Sequence, residues 1–419
     1  MFRVLLFCDS KYRDLPGNAL LKKSLENALP DSFVQICSFH LWREAIELFA
    51  PHLVVLNNVQ GKRNKNIASY VKRHGGIVVV AFTEGIIEFT DKAKIFEAQR
   101  GHKDVDYFLC WNEPVAELVD GIVTGCPRFD IYQKPERIDS RELFCDKWGL
   151  DPNKKIVVFG DSWPSAKFTY SMQSFHRDNW EELGNTEADK WSDAGAFAGH
   201  QHGHQQSFKQ LIEVLYNVSE KDTQFVLKSH PMSDYLMWAR WGERTGIPVI
   251  HSEYSFNVLN ACDVYITKAG SVTVAEAWLL NRPVIKLISD YDTASSVEQL
   301  GADRNNFDWA TMNDMNDING RLFTLLDGYL LDGYTDEDVA KSNYLDKWGM
   351  STQNSAHIVS DQLVSILENT AFVLRYNPNY LAFIEALHKH DLAYSSNILD
   401  GFGNWNKTTL QRDVQAWNV

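Results

Sequence analysis

Short, wholly apolar runs alternate along this chain with longer segments whose apolar positions recur every three or four residues. In the first third the short runs are residues 4–8, 33–37, 53–56, 77–82, 105–110 and 122–124. Runs without polar alternation fit central strands of a parallel sheet, which are covered on both faces. Residues 9–18 read as a loop, and 19–28, 42–49 and 65–73 have helical spacing. Apolar periodicity lapses over residues 133–141, which reads as a linker. A second series follows, with strands expected at 155–159, 223–228, 249–251, 264–267 and 284–287. Helices are expected at 208–216, 234–244, 255–261 and from about 272. Residues 160–203 form a long irregular stretch, of a length usual for functional loops. Helical spacing returns at 358–367 and 380–388, and at least one of these helices is expected to pack back across the first half.

Strand and helix alternating in two series predict an α/β protein with two parallel, doubly wound sheets. The expected division is 1–135 for an N-terminal domain, 150–370 for a second domain and 371–419 for a helical tail. A chain of 419 residues is long enough for two cores, and 44% hydrophobic residues can fill them.

Charge narrows the partners. The formal net charge is −14, and the only basic run, Lys62-Arg63-Asn64-Lys65, is short. Nucleic acid is therefore not an expected partner, and a small molecule is. The apolar run at the N-terminus is too short for a signal peptide, and no window reaches the roughly 20 apolar residues of a membrane span. Six scattered cysteines form no C-x-x-C pair, as expected of buried reduced thiols. The expected location is the cytoplasm, with peripheral contact at the inner membrane face left open.

Ligands of open α/β sheets bind beyond the carboxyl ends of strands, so residues that follow strands carry the chemistry. The stretch Cys262–Ala277 runs from a strand through a small-residue turn into a helix. Gly270 allows close approach, Ser271 and Thr273 offer hydroxyls, and the helix start offers N–H groups to a phosphate. Glu276, one turn on, suits the two hydroxyls of a ribose. The plain alternative is an ordinary strand–turn–helix with Ser271 as its cap. The stretch Phe225–Pro231 ends a strand in Lys228-Ser229-His230-Pro231. His230 there suits a phosphate, or is simply packed in a turn.

The pattern D-V-x-I-T-x-x-G-S-x-T-x-x-E-A…P-V-I resembles the donor-binding segment of the GT-B glycosyltransferases. Sugar-nucleotide epimerases of the same fold share it. The resemblance implies a GT-B-like architecture: two Rossmann-like domains facing a cleft, with C-terminal helices packing back on the first domain. It implies that Gly270, Ser271 and Thr273 meet the donor phosphate and Glu276 the ribose. The K-x-H-P pattern is similar to that of transferases using CMP-activated acidic sugars (Kdo, sialic acid) and of CDP-polyol phosphotransferases. It implies that Lys228, His230 and Pro231 join the donor site and that the nucleotide is cytidine. Gly125-Cys126-Pro127-Arg128-Phe129-Asp130 is similar to the G-N-P-x-x-D hinge of that fold, with Cys126 in place of Asn. Together with Tyr12–Gly17, Trp42–Ala45, Asn57–Asn64, Thr83–Gly85 and Pro164–Phe168, it makes most of residues 1–170 resemble the bacterial surface carbohydrate biosynthesis proteins.

The expected function is a glycosyltransferase moving a sugar from a nucleotide-activated donor, a CMP-sugar such as CMP-Kdo, to a saccharide or lipid-linked saccharide acceptor. A sugar-nucleotide 2-epimerase or hydrolase, a CDP-polyol phosphotransferase and a non-catalytic binding protein are the alternatives. Inversion at the sugar requires a base. Glu84, at the end of a buried strand, leads as candidate, and Asp9 and Asp161 compete. A capping role is the plain reading of Glu84. Asn58, Lys62 and Arg63 are expected on the acceptor side, where Lys62 and Arg63 read alternatively as a solvated pair. His200, His202 and His204 are read as part of a polar loop. No metal and no cofactor are expected. Glu276→Ala is expected to weaken nucleotide binding and leave the fold intact.

Overall fold

The computed structural model describes residues 1–85, 90–162, 194–219, 222–230, 233–268, 271–288, 309–311, 322–331, 339–375 and 377–395. The first sheet comprises β1 (Arg3–Cys8), β2 (Phe33–Ser38), β3 (Leu53–Leu56), β4 (Ile77–Ala81), β5 (Tyr107–Cys110) and β6 (Ile122–Val123). Its order is β2-β1-β3-β4-β5-β6, and every pairing is parallel. The second comprises β7 (Lys155–Gly160), β8 (Thr223–Lys228), β9 (Val249–Ile250), β10 (Val264–Lys268), β11 (Val284–Ile288) and β12 (Trp309–Thr311). It runs β12-β11-β10-β7-β8-β9, again all parallel.

Both sheets are covered on both faces, which is why their strands lack polar alternation. In the first sheet Leu5, Val54 and Val78 enter one core, while Val4, Leu6, Val55 and Val79 enter the opposite one. In the second, Val157, Phe159 and Ile266 face one core, and Ile156, Val158 and Tyr265 the other. That last core also holds Trp111, Cys126 and Phe129, so apolar packing is continuous between the halves.

The C-terminal helices return to the first half. Val359, Leu363, Ile366 and Leu367 of Ser355–Glu368 enter one core of the first sheet. Phe383 and Leu387 of Tyr380–Ser395 enter the other. The former helix lies inside the span 150–370 read as the second domain, yet it packs against Lys11–Ala28. Asp130 fixes its start, accepting Ser355 N at 2.9 Å and Ala356 N at 2.7 Å. A carboxylate at a helix N-terminus satisfies its unpaired N–H groups and its dipole. Gly125 sits five positions earlier at φ +73, where a Cβ would lie 2.4 Å from Ser355 Oγ. The segment resembling a hinge thus clasps the crossover helix through both its glycine and its aspartate.

Two local expectations are corrected. Residues 11–18 are helical, in Lys11–Ala28, despite Pro16. Asp14 stabilises that start by accepting Asp9 N at 3.1 Å and Ser10 N at 3.0 Å. His200, His202 and His204 lie in the helix Ala194–Val218, not in a loop. The apolar face of Phe208, Leu211, Ile212 and Leu215 carries that helix, and its glycines and histidines mask the pattern upstream.

Candidate functional site

Strand order creates a crevice in each sheet. Beyond β7 the chain moves through β8 to β9 on one side, and beyond β10 it moves through β11 to β12 on the other. Adjacent β7 and β10 therefore send their connections apart, and ligands of open parallel sheets bind beyond such a pair. In the first sheet β1 and β3 do the same.

At the β7/β10 crevice the chain gathers hydroxyl groups. Tyr265 Oη lies 2.8 Å from Thr273 Oγ1, which lies 2.7 Å from Ser271 Oγ. Thr267 Oγ1 donates to Gly160 O at 3.0 Å and lies 3.4 Å from Ser162 Oγ. A Cβ on Gly160 would come within 2.1 Å of the Tyr265 hydroxyl, so only glycine lets these strands meet here. Burial first, and then the nearby Glu276 charge, help hold the Tyr265 phenol above its usual pKa. Ser271 precedes Val272–Leu279 with extended backbone, but its hydroxyl turns to Thr273 and makes no cap bond. Gly270 lies outside the described residues.

Glu276 is 1% exposed and lies beneath the first half. Arg128 reaches across and binds its Oε1 as a salt bridge. The second oxygen, Oε2, is buried without a hydrogen-bond partner. Tyr132 packs against this carboxylate, its phenol held well above its usual pKa by burial first, then by the charge of Glu276, with a hydrogen-bonding contact to Glu276 adding to the rise; no donor meets Oε2 in good hydrogen-bond geometry. A buried carboxylate oxygen left unpaired is costly, and a ligand hydroxyl donating to it would relieve that cost.

Asp161 follows β7 and is 5% exposed. Its Oδ2 accepts Trp238 Nε1 at 2.9 Å, the Ser233 hydroxyl, and His230 N at 3.4 Å. These bonds hold the backbone of His230 and the side chains of Ser233 and Trp238 against the end of β7. Lys228 turns its ammonium to Ser229 O at 3.0 Å and His251 O at 3.2 Å, which ties β8 to β9. Burial pulls its pKa down to about 8, against the opposing charges of Glu253, Asp161 and Glu276. Ser229 Oγ meets buried His251 Nδ1 at 2.5 Å. Pro231 and Trp163 lie outside the described residues, as does 164–168.

The β1/β3 crevice has a different character. Arg13 sits among three carboxylates: Asp14 at 2.6 Å, Asp9 at 3.4 Å and Glu84 at 3.7 Å. Arg63 binds Asp9 at 3.1 Å and stacks on Phe39 at 4.4 Å. The structure thus joins Asp9, Glu84 and Arg63 in one network, with Arg13 at its centre. Glu84 is 51% exposed on its side chain, so it lacks the burial that the sequence reading gives its strand end. Lys62 is exposed and stands outside the network. Asn58 shapes the turn before Gly61–Arg73, its Oδ1 accepting Gln60 N at 3.1 Å and Asn64 Nδ2 at 2.8 Å. A small cavity of about 30 Å³ lies beside this network, lined mostly by apolar side chains such as Phe7, Leu56 and Phe82, with Asp14, Asn57, Thr83 and Arg128 among them. Arg128 therefore touches both crevices. Its own motif is visible in the sequence, but nothing there pairs it with Glu276.

No family model matches the chain, and no curated protein matches it. Among solved structures, the wall teichoic acid polymerase TagF (H444N variant with CDPG) is similar over 87% of this chain and 88% of that one. The TM-score is 0.52 at 12% identity. The fold is that of the GT-B enzymes. A UDP-N-acetylglucosamine 2-epimerase from Rickettsia bellii aligns over 88% of this chain and 96% of that one, with a TM-score of 0.47 at 12% identity. The spinosyn rhamnosyltransferase SpnG aligns over 88% and 100%, with a TM-score of 0.44 at 11% identity. No helix among the described residues is long and apolar enough to cross a membrane.

Proposed function

We propose that the chain is a glycosyltransferase that binds a nucleotide-activated sugar at the β7/β10 crevice and its acceptor at the β1/β3 crevice. One observation carries the reading: the buried, unpaired Oε2 of Glu276 beside the hydroxyls of Ser271 and Thr273. Ribose hydroxyls would donate to that oxygen, and the donor phosphate would take bonds from Ser271, Thr273 and the helix start. Lys228 and Asp161 then act as positioning residues that fix the His230 turn. Glu84 and Asp9 stand at the acceptor side, where an inverting transfer needs a base for the acceptor hydroxyl. Arg13 holds both in place.

The nucleotide to try first is a cytidine, as in CMP-Kdo, on the strength of Lys228-Ser229-His230. The acceptor class is a surface saccharide, free or lipid-linked. A second reading, a 2-epimerase or hydrolase of the sugar nucleotide, draws support from the three carboxylates gathered around Arg13, which could move a proton at the sugar without an acceptor.

Thermal shift with CMP-, CDP-, UDP- and GDP-sugars tests donor binding, because a ligand at 100 times its Kd stabilises by about 2.7 kcal/mol. A cytidine sugar is expected to raise the melting temperature most. A uridine preference removes the cytidine assignment, and no shift with any nucleotide sugar removes the enzyme reading. Product analysis without acceptor then separates the two readings: donor converted to its 2-epimeric sugar nucleotide, or to free nucleotide and free sugar, marks the epimerase or hydrolase, while turnover that needs an acceptor marks the transferase.

A further inference from the structure

One helix of this acidic chain is wholly basic. Gly61–Arg73 carries Lys62, Arg63, Lys65, Lys72 and Arg73 and no acidic residue, in a sequence with 41 Lys and Arg against 55 Asp and Glu. Asn64, Ile67, Ala68 and Val71 form its buried side. Helical spacing puts Lys62, Lys65, Ser69 and Arg73 on the opposite side, towards solvent. The helix starts after β3 and sends Arg63 to Asp9, so its basic side adjoins the β1/β3 crevice.

Neighbouring elements widen the patch. On one side Ser69 meets Asp104, in a segment that also carries Arg100 and Lys103. Burial lowers the pKa of His102 there; Asp104 opposes, and Lys65 and Lys103 add to the fall, so both lysines stand close to that ring. On the other side Arg43 and Arg73 lie 5.7 and 5.4 Å from the Tyr70 ring. Arg43, Lys62, Lys65, Arg73, Arg100 and Lys103 are all exposed. Among the described residues none of the six forms an ion pair, whereas Arg63 and Lys72 bind Asp9 and Asp106. The nearby carboxylates are spent elsewhere: Asp104 on Ser69, Asp106 on Lys72 and Val78 N, Glu47 on Tyr70. Exposed Glu44 and Glu97 remain on the flanking helices.

We propose that this face docks the protein on an anionic lipid bilayer, with the β1/β3 crevice beside the headgroups. Exposed lysines on flexible stems suit a diffuse layer of headgroup charge, while a site for one defined anion calls for forked, buried donors. The net charge of −14 does not prevent this, because charges more than about 10 Å away are screened at about 0.1 M salt and the local patch decides. The surface itself rests on no nucleotide. Only its use, bringing a lipid-linked acceptor to the crevice, rests on the transferase reading.

Co-sedimentation of the full chain with vesicles tests it, using phosphatidylcholine alone or mixed equally with phosphatidylglycerol. The chain is expected to bind the anionic vesicles at low salt and to leave them at about 1 M salt. Each cation near such a surface contributes about fivefold, so Lys65→Gln, Arg100→Gln and Lys103→Gln together are expected to weaken binding about a hundredfold. The melting temperature of the triple variant is expected to match the wild type, since all three side chains are exposed. Equal vesicle binding by the variant overturns the proposal, as does equal binding to phosphatidylcholine alone. Failure to bind the anionic vesicles also overturns it; retention on heparin in that case, lost in the variant, assigns the face to a soluble polyanion. Charge-dependent vesicle binding with no thermal shift from any nucleotide sugar keeps the docking face and removes the transferase reading alone.

Discussion

The two crevices are built from the same topological device and furnished in opposite ways. Beyond β1 and β3 the charges answer one another, with Arg13 and Arg63 among Asp9, Asp14 and Glu84. Beyond β7 and β10 the pairing is incomplete: Glu276 binds Arg128 through one oxygen while no donor meets the other in good geometry, and Lys209 faces the Met237 thioether and the Trp238 indole. Internally paired charges are stable without a ligand. Buried groups with poor partners carry a cost that a ligand can remove. On the function proposed above, the difference makes the second half the side prepared for a charged, hydroxyl-bearing ligand. The first half holds a preset network that can act on whatever is brought to it.

The strongest way to break the comparison is to remove the contact that joins the halves. Glu276→Ala leaves Arg128 buried without its partner, and loss of one member of such a pair costs about 3–5 kcal/mol. The sequence reading expects this variant to keep its fold. The buried pair instead predicts a clear fall in the urea midpoint as well as lost nucleotide binding. A variant with weakened binding and wild-type stability would show that the halves do not depend on this bridge.

Alkaline unfolding asks whether the halves fall apart separately. Burial pushes the thiols of Cys110 in the first half, Cys126 at the crossing and Cys262 in the second up to about 12, from an ordinary 9.0. Their stabilisation is whole below pH 9 and lost as pH rises from 9 towards 12, since the unfolded thiols ionise first. Lys228 works the other way, favouring the fold as pH rises from about 8 through 10.5. Three thiols outweigh one ammonium, so the urea midpoint is expected to fall above about pH 9. The core that joins Trp111 and Phe129 to Ile156 and Val158 predicts a single transition. Two resolved transitions would contradict that shared core.

A smaller effect sharpens the donor side. Ser271→Ala with Thr273→Ala removes two hydroxyls that face the crevice and is expected to weaken nucleotide binding about tenfold, or about 1.4 kcal/mol. Equal affinity would return Ser271 to an ordinary position before a helix. The smallest effect is expected from Arg13→Ala, which disrupts the first network. Nucleotide affinity should stay within about twofold while turnover falls, because loss of one donor or charge at a reacting site affects rate more than remote binding. A large loss of nucleotide affinity would merge the two crevices into one site.

Much of this was legible in the chain. The apolar runs at 4–8, 53–56, 155–159 and 264–267 are strands because a doubly covered strand must be apolar at consecutive positions. The start at Lys11 was hidden because Pro16 reads as a breaker, and the stabilising bonds come from the side chain of Asp14. The short strand β12 (Trp309–Thr311) has too few residues to show a period. Residues that follow strands, such as Asp9, Asp161 and Ser271, could be named as site candidates from position alone. What each one does depended on neighbours far away in sequence: Asp161 became a turn-holding residue through Ser233 and Trp238.

The sequence by itself determined that there are two parallel α/β halves and which residues end their strands. Local periodicity and short-range turn chemistry fix those features. Tertiary structure alone decided the strand orders, and with them where the two crevices fall, because pairing order depends on contacts between segments tens of residues apart. It also decided that Arg128 covers Glu276 and that Lys209 stands among soft partners. Burial and charge balance are properties of the packed neighbourhood, and no local pattern encodes them.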